Sequence, residues 1–121
     1  MTIGTWVLVG LIGGAGAVAR YLVDGLVDER VGGVLPWGTL AVNLSGAVAL
    51  GAVAGAAVSG NAYVLAGTAA LGSYTTLSTW MLESHRLAQD ERVLFALVNL
   101  LGSLLLGFAA IAAGHALGAA L

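Results

Sequence analysis

Gly72-Ser73-Tyr74-Thr75-Thr76-Leu77-Ser78-Thr79-Trp80 places hydroxyl-bearing side chains in the middle of an uncharged stretch long enough to cross a bilayer. Inside hydrocarbon every backbone N–H and C=O must find a partner. A Gly and hydroxyl cluster at mid-span is therefore tolerated only where it lines a cavity or binds an ion. The segment points to a pore or an ion site, and the rest of the chain is read outward from it.

Hydrophobic residues make up 60% of the 121 residues and charged ones 8%, against roughly 25% charged in soluble domains. This is the composition of an integral membrane protein, and at about 20 residues per spanning helix the chain has room for four spans. The first apolar segment lacks a charged amino-terminal region and an A-x-A-like site, and carries Gly13, Gly14 and Gly16, so it reads as a span and not as a removable signal peptide. Without Cys there is no disulfide, thiolate metal site or Cys nucleophile. A net charge of -2 carries no signal for nucleic acid.

Charged residues fall in two clusters, Arg20 to Arg30 and Glu83 to Arg92. The uncharged stretch between them has about the length of two spans and is divided by the Ser59-Gly60-Asn61 turn signal. The predicted spans lie near 3–23, 37–58, 62–83 and 92–117. They are long and rich in Ala and Leu, without the alternation of a lipid-facing barrel strand, so helix is expected throughout. All four Arg then belong to one side of the membrane, which the positive-inside rule makes cytoplasmic, with Arg20 at the end of the first helix.

Small residues recur at helical spacing, as in Gly10 with Gly14 and Gly51 with Gly55. Such spacing lets helix backbones approach closely, which is how membrane helices associate. Four short helices enclose little space, so a polar path forms more easily between subunits than within one, and at least a dimer is expected.

The polar residues within the spans are Thr39, Asn43 and Ser45, the 73–79 cluster, and Asn99 with Ser103. A primary amide in hydrocarbon either bonds a neighbouring helix or faces a wet path, and both readings stand for Asn43. Asn99 and Ser103, one turn apart, share a face. No span has an Asp, Glu or Lys near its centre, which argues against proton-coupled exporters and rotor-ring subunits, both built around a membrane carboxylate. The neutral donors that remain can replace the hydration shell of a small anion without a fixed charge that would trap it. His85 and His115 lie near span ends with no carboxylate or nucleophile arranged around them, so no enzyme is read here.

Four stretches, Gly13 to Tyr21, Gly38 to Gly46, the 72–80 run and Val98 to Ser103, resemble the Fluc (CrcB) fluoride channels, in order and over all four spans. The resemblance implies an antiparallel dual-topology dimer of four-helix subunits in the cell membrane. It also implies a third helix broken at its midpoint and a structural sodium ion held there by backbone carbonyls, for which Gly72 and Thr75 are the matching positions. Asn43 is implied on the fluoride pathway with Ser78 and Thr79 near it, Asn99 and Ser103 on a polar track, and Arg20 at the vestibule. The family's Thr-Thr-Phe-Ser-Thr-Phe signature departs here, with Leu77 and Trp80 in place of its two phenylalanines. Leucine has no quadrupole, whereas indole offers a ring edge and an N–H donor. The expected function is passive fluoride efflux from the cytoplasm, by a homodimer or as one partner of a heterodimer with a homologous subunit.

Overall fold

The computed structural model describes residues 1–121, and all regular structure in it is helical. Helix α1 (Ile3–Val31) begins at Thr2, whose hydroxyl accepts the Thr5 N–H at 3.2 Å. It continues well past the apolar segment, because no breaker precedes Gly32 and Gly33. Their φ values of 65° and 97° belong to the left-handed region that glycine adopts without strain. Arg20 therefore lies in the interior of α1 and not at its end, a correction to the expected placement.

Pro36 precedes α2 (Trp37–Gly55). The third segment, α3 (residues 60–74), starts as an α-helix, widens into a π-helix over Val64–Leu71 and returns to α over Gly72–Tyr74. Thr75 is extended at φ -78° and ψ 159°, and α4 (Ser78–Gln89) follows. The last segment, α5 (Val93–Ala119), carries a π-helical turn at Val98–Gly102. Of these helices α1, α2 and α5 are long and apolar enough to cross a membrane.

The tightest seam joins α2 to α5. A Cβ built on Gly114 would lie 2.0 Å from the Val48 carbonyl oxygen, and one on Gly118 2.1 Å from that of Ala52. Reciprocally, Gly51 and Gly55 face the carbonyls of Ile111 and His115 at 2.3 and 2.1 Å. Two Gly-x-x-x-Gly stripes interlock, so the backbones touch where any side chain would hold them apart. By contrast, Gly10 and Gly14 of α1 have nothing within 4 Å of a Cβ position, and α1 buries no residue completely. The loop after α1 and the residues Glu83, Arg86 and Asp90 line one cavity, so the α1–α2 and α4–α5 connections share one end of the subunit.

Candidate functional site

The three residues between α3 and α4 leave helix-end groups without their usual partners. Within the subunit no donor reaches the carbonyl of Gly72, Tyr74 or Thr75, and the N–H groups of Leu77, Ser78 and Trp80 meet no acceptor. Unpaired carbonyls at the end of α3 favour a cation, and unpaired N–H groups at the start of α4 favour an anion. Both sit within a few residues of each other.

Asn43 holds this interruption in place. Its Nδ2 donates to the Thr76 carbonyl at 2.8 Å and its Oδ1 accepts the Thr76 N–H at 2.8 Å, so one amide satisfies both backbone groups of a residue outside any helix. Asn43 thus bonds the interruption and not a neighbouring helix, and its second Nδ2 hydrogen remains free, because an amide nitrogen has two donors. Thr76 in turn accepts the Thr79 N–H on its Oγ1 at 3.2 Å and donates to Thr79 Oγ1 at 3.0 Å, which caps α4. Gly46 makes the approach possible: a Cβ there would fall 2.3 Å from Thr75 Cγ2. Gly16 does the same from α1, 2.5 Å from the Ala70 carbonyl oxygen.

Most of the expected site residues border one of two hollows. A cavity of about 180 Å³ is lined by Asn43, Trp80, Ser103, Leu104, Gly107, Phe108 and Ile111. On the other side of the interruption, Arg20, Gly72, Thr75, Leu77 and Ser78 border a broad, open hollow. There Arg20 Nε donates to the Ser73 carbonyl at 3.4 Å, and Leu77 is 67% exposed, directed away from its own subunit. Thr79 borders neither hollow and is tied to Thr76.

Behind Trp80 runs a closed polar chain. The indole Nε1 donates to the Asn99 carbonyl at 3.1 Å, Asn99 Nδ2 donates to Ser84 Oγ at 2.8 Å, and Ser84 Oγ donates to the Trp80 carbonyl at 2.8 Å. The indole N–H, read from the sequence as a donor for an anion, is therefore committed inside the subunit, and only the ring edge is left for a ligand. Asn99 is buried with Ser84, so its amide ties α5 to α4. Ser103 reaches back to Asn99 Oδ1 at 3.5 Å and also borders the cavity.

The profile of the CrcB-like protein, Camphor Resistance (CrcB) family matches residues 7–115. The fluoride-specific ion channel FluC 2 of Mycolicibacterium paratuberculosis is 51% identical over 116 residues, covering 96% of this chain and 95% of that protein. The protein of the same name from Mycobacterium bovis is 48% identical, covering 95% and 91%. The fluoride-specific ion channel FluC 1 of Symbiobacterium thermophilum is 43% identical, covering 94% and 97%. The chain belongs to the CrcB family.

Membership agrees with the three apolar helices in making the chain a multi-pass membrane protein of a prokaryote. Within this CrcB chain, sequence reasoning passes over three residues that the geometry brings forward. Thr76 is the residue Asn43 grips, yet it stands among hydroxyls that look alike in sequence. Ser84 adjoins Glu83 in a charged cluster, which disguises a serine only 3% exposed. Phe108 lies in an apolar run, where an aromatic ring gives no contrast.

Proposed function

We propose that the chain is a subunit of a fluoride-selective channel that lets fluoride leave the cytoplasm passively. One observation carries this reading beyond the names of the relatives. Asn43, which grips Thr76, and the Trp80 ring edge border a cavity that no carboxylate or ammonium lines, and the unpaired N–H groups at the start of α4 lie at the interruption that Asn43 holds. Fluoride binds its hydration water tightly, so a path must offer several donors in its place, yet release the ion easily. Hydrogen fluoride enters as a neutral weak acid and dissociates in the less acidic cytoplasm, so a passive anion path driven by the membrane potential clears it. In this reading Asn43, Ser78, Thr79, Trp80, Asn99 and Ser103 belong to the path, and Arg20 draws anions to its mouth without entering it.

The third transmembrane helix is, in this proposal, α3 and α4 together, broken at residues 75–77, and two such subunits pair antiparallel. The broad hollow around the break is the pairing face. A sodium ion fits there: the Gly72 and Thr75 carbonyls are unpaired within the subunit, and a second copy would bring two more. Bound sodium would neutralise these oxygens and add a fixed positive charge at the dimer axis.

Vesicles loaded with potassium fluoride and treated with valinomycin test the function. Release of fluoride but not chloride by the purified protein supports it. Silent vesicles containing folded dimers would favour a second reading, a partner subunit that conducts only beside a homologue. The observation behind that alternative is Leu77, which presents no ring on the pairing face.

A further inference from the structure

The chain has two phenylalanines. Phe95 lies at the loop end of α5 under Arg92, whose guanidinium is 6.0 Å from the ring centre. Phe108 lies deep in α5, lines the cavity that holds Asn43, Trp80 and Ser103, and is 64% exposed within the isolated subunit. Its chain neighbour Gly107, on the wall of the same cavity, has nothing within 4 Å of a Cβ position.

An aromatic ring carries a negative face and a positive edge, and its edge C–H groups suit an anion that must shed water but not be trapped. In this cavity the Trp80 ring has spent its N–H on Asn99, and Leu77 lies outside the cavity altogether. The remaining aromatic side chain on its wall is Phe108. Resting on the channel reading above, we propose that Phe108 is the second aromatic contact of the anion path, supplied by α5 where residue 77 supplies none.

Phe108→Leu keeps bulk and hydropathy and removes the ring edge. It should lower fluoride efflux by about five- to ten-fold with the dimer eluting as before, a loss on the scale of one aromatic contact acting at the barrier. Phe95→Leu should release fluoride at the unaltered rate. A second readout does not depend on flux: 4-fluorophenylalanine at position 108 should show a ¹⁹F shift that moves on titration with sodium fluoride and stays still with sodium chloride.

If the unaltered protein conducts and Phe108→Leu stays within about two-fold of it, the inference falls and the channel reading stands. If the unaltered protein is silent, the channel reading fails for the lone chain. The ¹⁹F signal then decides separately, since a resonance indifferent to both salts overturns the role of Phe108 and a fluoride-specific shift supports it.

Discussion

Along the α2–α5 seam no side-chain hydrogen bond passes between the helices, and contact is made by Gly51, Gly55, Gly114 and Gly118 laid against bare carbonyls. At the interruption between α3 and α4 the reverse holds: Asn43, Thr76 and Thr79 join helices through side chains that replace missing backbone partners. Lipid offers neither a hydrophobic drive for association nor water to satisfy the open ends of helices. The seam answers the first lack by removing side chains, and the interruption answers the second by adding polar ones. A region built from absences tolerates no addition, whereas a region built from bonds weakens in steps as each bond is removed.

Gly114→Leu tests the seam most severely. The new side chain meets the Val48 backbone, which cannot move aside like a flexible side chain, and a loss of about 4 kcal/mol or more is expected. Size-exclusion chromatography in detergent should show no folded species, while Gly14→Ala, with open space at its Cβ position, should elute normally within the subunit's own constraints. A normal profile for Gly114→Leu would break the comparison.

Asn43→Ala comes next. It strands the Thr76 N–H and carbonyl together, at about 1–3 kcal/mol for each desolvated group, and should lower the unfolding midpoint as well as slow fluoride release. Asn43→Asp keeps an acceptor for the N–H but loses the amide donor and sets a carboxylate inside a span, so a drop no smaller than that of Asn43→Ala is expected. Equal unfolding midpoints for Asn43→Ala and the unaltered protein would show that water replaces the amide.

Trp80→Phe sharpens the assignment of the indole. The Asn99 carbonyl loses one donor, at about 0.5–1.5 kcal/mol, and fluoride release should persist because a ring edge remains. Collapse of release with stability intact would return the indole N–H to the anion path. The smallest effect on the subunit itself is expected for Gly72→Val, since a Cβ there meets only the Gly67 carbonyl oxygen at 3.8 Å. Any loss should appear in dimer dissociation, read by dilution with sodium present and absent.

The helical class is legible in the sequence because the apolar segments are long and lack strand alternation, and the place of the polar cluster because hydroxyls and an amide stand out against an apolar background. Asn43 shows where legibility stops. Its residue type announces an expensive group, but that it holds both backbone groups of Thr76 depends on how α2 lies against residues 75–77. The glycine spacing is visible, but not which stripe meets which: Gly10 and Gly14 look like Gly51 and Gly55 on paper, yet only the latter touch a helix of their own subunit. In the sequence Arg20 reads as a helix end because it opens a charged cluster, but helix α1 ignores the charges and stops at the glycines of positions 32 and 33.

The α2–α5 seam also sets an order of events in biogenesis. Helix α2 leaves the ribosome long before α5, and its glycine stripe has no mate until the carboxy-terminal helix has entered the bilayer. Each earlier helix can insert singly, as the two-stage view of membrane folding allows. The closest contact in the subunit therefore cannot form until Gly114 and Gly118 have been made, almost at the end of synthesis.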